Sequence, residues 1–499
     1  MYDIEKLRQH FPATTVFKDP SVMAIFKNAK IPAFLRDWIL KRQAGPDGRI
    51  ENMDRLSSYL STIIPRRSDR GILVDEARSQ GETRKFLAQM DVSLNHRANF
   101  YTFEIPTLGF THSQTIIEDY VWERVKEDLL GKKEDSLGKS GVWGLIKLGY
   151  MPPEGKNPGR FSLLDFKNFC PYKVDLEAYR TARAFFSIEE WMDILLGAID
   201  YNPDGYAVGN MIKDDIWEAK HTMLTRLLPF VQPRVNLVEL APQQTGKSYI
   251  FGKIGKYGWM AGGGSLSRAK LFYDAAARRD GIIPSSDFVA IDEIKSIHFS
   301  DTAEMQGILK TYMEDGYTTV GNVRVEGEAG IILLGNIDVN DMDANADMFR
   351  ELPEVFRDSA LIERLHGFIL GKKIPALTDA MYMNDWALNS EYFTEILHLL
   401  RSSEETIRYR SLVEQLVWTK HGADGREKES VLRLCTAYIK LFFPHADTEL
   451  IKDMHFKIDF NRYCLYPAKV MRETVLQQMQ IINPTEFGHR RMSTYKIRD

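Results

Sequence analysis

Asn236-Leu-Val-Glu-Leu-Ala-Pro-Gln-Gln-Thr-Gly-Lys-Ser248 is the stretch whose reading decides the fold. Val238, Leu240 and their neighbours predict a short buried strand. Gln243, Gln244, Thr245 and Gly246 make the turn that follows, and Lys247 and Ser248 open a helix through Tyr249-Ile250-Phe251. A strand, a loop and a helix closing on Gly-Lys-Ser form a phosphate-binding loop. Backbone N–H groups at a helix N-terminus cradle phosphate oxygens, because the helix dipole favours anions there. Lys247 is expected to reach the β- and γ-phosphates, and the Ser248 hydroxyl to ligate Mg²⁺. One position departs from the pattern: Ala241 stands where the first glycine belongs. Alanine can hold that place if its φ stays negative.

Two further stretches strengthen the reading. Asp287-Phe-Val-Ala-Ile-Asp-Glu293 is an apolar strand ending in two carboxylates, about forty-five residues after Lys247. Such a strand is expected beside the phosphate-loop strand, with Asp292 holding the metal ion and Glu293 polarising the attacking water. Gly330-Ile-Ile-Leu-Leu-Gly-Asn336 is a third strand, and its terminal amide is placed to orient the same water and sense the γ-phosphate. A Gly-Lys-Ser turn or a strand ending in Asp-Glu occurs by chance; three such strands in this order do not arise easily. The expected chemistry is nucleotide hydrolysis.

The length, 499 residues, exceeds one domain. Charged residues make up 27% and hydrophobic residues 44%, an ordinary globular balance. The net charge of −4 excludes an overall polycation, so any nucleic-acid surface is a local patch. Cys170, Cys435 and Cys464 lie far apart in no metal-binding spacing and are expected to be buried thiols in a reducing compartment. No basic-then-apolar leader opens the sequence, and no apolar run approaches the ~18–20 residues of a membrane span. The expectation is a cytoplasmic protein without a membrane partner.

Taken in order, residues 1–95 predict a mostly helical domain. Between Arg36 and Arg70, eight basic residues face five acids. The sharpest part, Pro65-Arg66-Arg67-Ser68-Asp69-Arg70, is a candidate DNA contact; a solvated mixed-charge face explains the same stretch equally well. Residues 96–155 predict a small α+β module, with strands over 98–110 and 142–150, a helix over 116–130 and a turn over 131–136. The Pro/Gly-rich stretch 152–159 reads as a linker. A connecting helical segment over 156–204 includes a capping-box start at Ser187-Ile-Glu-Glu190. The ATPase core then covers 205–371. In it a strand with its turn spans 256–264, a helix starts at 265, and Asp301 caps a helix over 302–314. Tyr317–Val320 and Val323–Glu326 predict a hairpin turning at Gly321-Asn322. Helices fill 372–499. Lys469 and Arg472 fall near the expected start of the last one, against the helix dipole, so an anion there would explain them.

With these motifs in hand, the sequence resembles the AAA+ ATPases, and within them the branch with a hairpin before the sensor-1 strand, which includes Lon and the MCM helicases. Glu239-Leu-Ala-Pro-Gln-Gln-Thr-Gly-Lys-Ser248, Gly262-Gly-Gly-Ser-Leu-Ser-Arg-Ala-Lys-Leu-Phe-Tyr273, Phe288-Val-Ala-Ile-Asp-Glu293, Leu333-Leu-Gly-Asn-Ile337, Ser187-Ile-Glu-Glu-Trp-Met-Asp-Ile-Leu-Leu196 and Glu363-Arg-Leu-His366 narrow it. They resemble the BrxL family of Lon-like ATPases from BREX phage-defence systems, well over about 140–475 and loosely over the first hundred residues.

The resemblance implies an α/β P-loop AAA+ core, a parallel sheet with flanking helices, joined to a helical lid and an N-terminal α+β domain. It implies ATP and Mg²⁺ as cofactors, with Lys247 and Ser248 on phosphate and metal, Asp292 organising the metal, Glu293 as base and Asn336 as sensor 1. Arg364 matches the arginine finger that completes a neighbour's site, with Arg357 as its competitor. Lys469 or Arg472 would be the sensor-2 cation, and Tyr317 and Arg324 lie on the hairpin that family members point into a central pore. The expected assembly is a hexameric ring, single or stacked in pairs, that couples ATP hydrolysis to clamping or moving on double-stranded DNA beside other defence proteins. The alternatives are a Lon-like protein unfoldase and a slow ATP-dependent scaffold. Longer family members carry a Lon-protease-like domain of on the order of 150 residues after the lid. The sequence stops at Asp499, so a short form without protease activity is expected.

Overall fold

A computed structural model describes residues 2–498 apart from 29–30, 96–98, 131–141, 156–157, 208–212, 277–278, 339–341, 344, 351 and 421–422. The chain divides into two units, one of residues 50–173 with 274–285, the other of residues 1–49, 174–273 and 286–499. This differs from the boundaries expected at 95, 155, 204 and 371. Residues 1–49 belong with the phosphate-loop unit, and the stretch read as a linker joins two paired strands. Proline and glycine mark a tight connection as readily as a boundary.

The unit of residues 50–173 is built on β1 (Phe86–Asn95), β2 (Phe100–Glu104), β3 (Thr115–Ile116), β4 (Val142–Met151) and β5 (Arg160–Asn168). They lie in the order β2-β1-β4-β5-β3. All pairs are antiparallel except β3 with β5. The last ten of the residues expected to be helical, 86–95, are therefore strand, and 160–168, expected to cross toward the core, form an interior strand. The helix read from 116 begins at Asp119 and ends at Leu130. Its Val121 and Val125 share one buried core with Leu73, Ala77, Phe86, Ile146 and Leu163. Tyr101 stacks on Trp122 at 3.6 Å between ring centroids. The turn expected over 131–136 lies outside the described residues.

The other unit carries a five-stranded sheet of β6 (Leu237–Ala241), β7 (Gly258–Ala261), β8 (Phe288–Ile291), β11 (Gly330–Asn336) and β12 (Gly367–Leu370), with the hairpin β9 (Tyr317–Val320) and β10 (Val323–Glu326) preceding β11. The order is β12-β6-β11-β8-β7, and every pair is parallel. β6 and β8 are buried throughout, which is why these strands read as apolar runs, broken only by Glu239 in β6. One expectation is corrected: the strand leading to Asp292 is not beside the phosphate-loop strand, because β11 lies between them. A hydrophobic run identifies a strand without naming its neighbour.

The principal helices of this unit are α1 (Ala33–Gln43), α2 (Ile188–Ala198), α3 (Lys213–Thr225), α4 (Thr302–Asp315), α5 (Ser390–Leu399), α6 (Ser403–Leu416), α7 (Gly425–Phe442) and α8 (Tyr466–Ile482). The Ser187–Glu190 capping box starts α2, and the Asp301 carboxylate accepts from the Glu304 N–H to start α4. The helix expected at 265 is only Arg268–Leu271. Helix α8 is not a fresh start: Met454–Phe460 and a π-helical turn over Asn461–Leu465 run into it without a break. Lys469 and Arg472 therefore sit inside a long helical run, and the dipole argument for an anion beside them falls.

Residues 1–49 are joined to this unit by paired strands, Thr15–Phe17 with Trp386–Leu388, and by a buried ionic cluster. Lys18 Nζ lies 2.8 Å from Asp200 and 3.3 Å from Asp37, and Arg36 Nη2 lies 2.6 Å from both carboxylates. Asp37 also accepts from the Ser390 N–H that opens α5, and Asp200 accepts from the hydroxyl of Tyr249, on the helix after the phosphate loop. Arg36 and Asp37 thus leave the basic stretch that suggested a DNA surface. The rest of that stretch is divided between the two units. Cys170 is exposed, against expectation, whereas Cys435 and Cys464 are buried.

Burial alone would raise the Asp200 pKa, but Arg36 and Lys18 outweigh it and hold the carboxyl well below its usual range. A depressed carboxylate stabilises the fold above its unfolded pKa of about 3.9, and that contribution is lost as pH falls through the folded value. Asp200→Asn is expected to cost about 3–5 kcal/mol at neutral pH, since it leaves buried cations uncompensated. In urea unfolding followed by circular dichroism, the gap from wild type should stay constant above about pH 5 and narrow below it. A gap that is small at pH 7, or independent of pH, contradicts the assignment.

Candidate nucleotide site

The carboxyl ends of the parallel strands share one edge of the sheet, where ligands of such sheets bind. Strand β6 ends at Ala241, the loop follows, and Lys247 begins the next helix. Gln244 and Gly246 take left-handed backbone, with φ of 61° and 80°, and Ala241 keeps a negative φ as required. Room for the alanine methyl comes from across the sheet. Gly371, just after β12, packs so closely that a Cβ there would lie 2.1 Å from the Ala241 Cβ. The missing side chain at 371 accommodates the side chain added at 241. The loop is also pinned by the Leu377 N–H, which donates to the Gln244 carbonyl at 2.9 Å.

Four of the expected residues converge. Lys247 Nζ donates to Asn336 Oδ1 at 2.9 Å and to the Pro242 carbonyl at 3.0 Å. Ser248 Oγ donates to Asp292 Oδ2 at 2.6 Å. Register explains the first contact, because Asn336 pairs directly with Ala241. Glu293 follows Asp292 with a left-handed φ of 51° and is exposed. Burial lowers the Lys247 pKa below the ordinary lysine range; Glu239 and Asp292 oppose that shift, and Arg226 adds to it.

Two residues that support the loop were not singled out from sequence. Arg226, just after α3, and Glu239, in the middle of β6, are both wholly buried and paired, with Arg226 Nε 3.0 Å from Glu239 Oε2. Arg226 Nη1 donates to the Thr245 carbonyl at 2.6 Å, and Nη2 reaches the Thr245 hydroxyl at 3.3 Å. A charged residue inside an apolar strand, such as Glu239, was the available signal. Beside the loop, a cavity of about 80 Å³ is lined by Trp217, His221, Leu370, Lys373, Tyr466 and Met471. Leu370 pairs with Leu240, one residue before Ala241, so this cavity adjoins the start of the loop. The buried Trp217 Nε1 has no hydrogen-bond partner among the described residues. Burial pushes the His221 pKa down to about 4, leaving a neutral ring 3.0 Å from the Tyr463 carbonyl.

The remaining candidates are not drawn into this convergence. Arg364 follows the short helical turn Ser359–Ile362, is mostly buried, and pairs with Glu314 of α4 at 3.0 Å. Arg357 is exposed and, among the described residues, forms an ion pair only with Asp347, at 3.6 Å. Arg472 is buried and donates to the carbonyls of Glu363 and Leu365, so its guanidinium supports the Arg364 segment. That commitment removes it as a free sensor-2 cation and leaves Lys469. On the hairpin, the Arg324 guanidinium lies 3.9 Å over the Tyr317 ring and 2.6 Å from Glu326. In the other unit Arg66 and Arg67 are exposed, while Arg70 lies over Phe110 and donates to Gln114.

Residues 161–493 match the family described as Lon-like protease BrxL-like, ATPase domain. Residues 9–150 match BREX system Lon protease-like protein BrxL N-terminal. The chain is 25% identical over 496 residues to the Lon-like protease BrxL of Escherichia coli O9:H4 (strain HS), covering 97% of the chain and 66% of that relative. It is 27% identical over 492 residues to the Lon-like protease BrxL of Bacillus cereus (strain H3081.97), covering 97% and 67%. The chain thus spans about two thirds of the length of these relatives.

The fit of Gly371 against Ala241 is open to test. Gly371→Ala is expected to distort the loop, at about 1–3 kcal/mol of overpacking, and to weaken nucleotide binding at least tenfold in calorimetry. Adding Ala241→Gly should restore part of the affinity, since the worst contact disappears and a 2.8 Å approach to the 241 Cα remains. Unchanged binding in Gly371→Ala, or no recovery in the double variant, contradicts this account.

Proposed function

The chain belongs to the BrxL family of Lon-like BREX-system proteins, and on that premise we propose that it hydrolyses ATP and uses the cycle to clamp or move on double-stranded DNA in phage defence. One observation supports the reading above all: Lys247 meets Asn336 and Ser248 meets Asp292 at the carboxyl edge of one parallel sheet. These residues come from three strands that are adjacent in space and far apart in sequence.

In this reading Lys247 neutralises the β- and γ-phosphates while the loop N–H groups hold their oxygens. Ser248 and Asp292 offer the hard oxygen ligands that suit Mg²⁺, which when bound spreads the charge of the phosphates. Asn336 orients a water against the γ-phosphorus. Glu293 takes a proton from that water as its oxygen bonds to phosphorus, and the bond to the bridging oxygen breaks, releasing ADP and phosphate. The cavity lined by Trp217 and Tyr466 receives the base, and Trp217 Nε1 gains a partner there.

An arginine from a neighbouring subunit completes the site in a hexameric ring, single or stacked. Arg357 is the more accessible candidate, whereas Arg364 must first leave Glu314. Arg324 and Tyr317 form the hairpin surface that meets DNA. A second reading, remodelling of a protein partner, is favoured by Glu326, which cancels the Arg324 charge beside the aromatic ring. The defence partners and a cytoplasmic setting follow from the family and belong to this proposal.

The test is ATP turnover with duplex DNA, with unfolded protein and with neither, alongside particle mass. DNA-stimulated turnover by a ring-sized particle is the expected outcome. Stimulation by protein alone replaces DNA with a peptide substrate, and no stimulation leaves an assembly scaffold. Glu293→Gln should bind ATP with unchanged affinity and hydrolyse it at least about 10²-fold more slowly; normal turnover would assign the base elsewhere.

The finger is resolved by mixing. Arg357→Ala and Arg364→Ala are each combined with Glu293→Gln subunits, and the true finger variant should regain activity, because its intact base then faces an arginine supplied by the other subunit. Recovery by Arg364→Ala and not Arg357→Ala would make Arg364 the finger despite its pairing with Glu314, and recovery by neither would remove both.

A further inference from the structure

Near the end of the chain, β13 (Val417–Thr419) and β14 (Tyr495–Ile497) form a two-stranded antiparallel ribbon in the phosphate-loop unit. Trp418 lies directly opposite Lys496. The pairing extends past the strands, because the Arg498 N–H donates to the Leu416 carbonyl at 2.7 Å and the Lys420 N–H to the Thr494 carbonyl at 3.2 Å. Side chains alternate across such a ribbon, so Trp418, Lys420, Lys496 and Arg498 share one face. All four are exposed, whereas Val417 and Tyr495, on the other face, are buried. A cavity of about 780 Å³ opens beside the ribbon. Trp418, Lys420 and Arg498 line it, together with Lys428 and Leu432 of α7 and Glu414 of α6.

The positive charge of this face is not cancelled locally. Residues 416–420 and 488–498 contain no carboxylate, and the four between 411 and 430 have other partners. Glu414 meets Arg410 at 2.8 Å, and Glu429 meets Arg410 and Arg433 at 2.9 and 2.7 Å. Glu427 is buried and accepts from the Tyr495 hydroxyl at 2.8 Å and the Ser493 N–H at 3.0 Å. Asp424 caps α7 by accepting from the N–H groups of Arg426 and Glu427. Among the described residues, no carboxylate lies within ion-pair distance of Lys420, Lys428, Lys496 or Arg498. Arg498 Nε donates to the Val417 carbonyl at 3.2 Å, which leaves both terminal nitrogens of its guanidinium for a ligand.

The Trp418 indole is 43% exposed, and no ring or cation stacks on it among the described residues. A bare indole set among unpaired cations suits an anion that also carries a flat apolar face. A duplex offers phosphates but keeps its base faces stacked inside. An acidic peptide offers charge without the flat face. A single strand offers both, since its bases stack on aromatic rings while its phosphates meet lysine and arginine.

We infer that this ribbon binds single-stranded nucleic acid, with one base stacked on Trp418 and the flanking phosphates held by Lys420, Lys496 and Arg498. The cavity beside the ring, with Lys428 in its wall, receives an adjoining nucleotide. The surface uses neither the hairpin nor the phosphate loop, so it stands apart from the ATP and duplex readings.

The experiment follows the fluorescence anisotropy of a labelled oligothymidylate of about 12 nucleotides with the full chain. Every protein carries Arg324→Ala, so any hairpin contribution is common to all of them. Binding is expected, with Trp418→Ala weakening it about tenfold or more and Trp418→Phe regaining most of the loss. Lys420→Ala and Lys496→Ala should each reduce the slope of log K against log salt concentration by about 0.7, the loss of one phosphate contact. All three positions are exposed, and thermal unfolding checks that the fold is kept. Absence of binding, or binding unchanged in Trp418→Ala, overturns the inference. Duplex binding that depends equally on Trp418 overturns base stacking, and Trp418-dependent binding of polyglutamate in place of the oligonucleotide replaces nucleic acid with an acidic protein.

Discussion

The phosphate loop depends on the buried pair of Arg226 and Glu239. Both side chains are fully withdrawn from water, so neither charge is tolerable alone. Glu239 fixes the guanidinium from the middle of β6, and the guanidinium then holds the Thr245 carbonyl from below. One ion pair therefore joins the helix before the sheet, the strand that begins the loop and the loop itself. A hydrophobic contact would fill the same volume, but it would not satisfy that carbonyl. The pair fixes geometry more than it adds stability, because desolvation offsets much of its attraction.

The same economy of charge recurs through this unit. Lys18 and Arg36 are enclosed with Asp37 and Asp200, and Asp200 also accepts from Tyr249 on the phosphate-loop helix. Arg472 supports the carbonyls on either side of Arg364, while Glu363 accepts from Arg426 and Arg490. These cations are structural; of the basic residues between Arg36 and Arg70 only Arg36 is among them, while Lys41, Arg42, Arg49, Arg55, Arg66 and Arg67 are exposed.

What was legible in the sequence was local. The strands ending at Ala241, Ile291 and Asn336 appear as apolar runs because both faces are covered, and the hairpin turns at Gly321 as its glycine requires. Capping at Ser187 and Asp301 was equally visible, since cap and helix are neighbours in sequence. What was hidden depends on distant partners. Strand order is set by packing between segments nearly a hundred residues apart, so β11 came between β6 and β8 unannounced. The strand at 160–168 looked like a crossing because its proline-rich approach resembles a linker. The start of α8 looked like a free terminus because a π-helical turn leaves no break in composition.

Ala241 shows how a departure from a motif is to be weighed. At the motif alone, the alanine counts against a phosphate loop, since a glycine is expected. In the fold, the tight contact with Gly371 moves the missing methyl to the neighbouring strand's end, and the volume between β6 and β12 stays filled without a clash. The requirement is therefore carried by a pair of positions, one with a side chain and one without. Either residue considered alone misstates the constraint; the pair states it as shape. Asn336 follows the same logic, because its amide reaches Lys247 only through the register that sets it beside Ala241. The site is thus a property of strand alignment, and the residues that matter most to it include some, such as Gly371 and Arg226, that touch no phosphate.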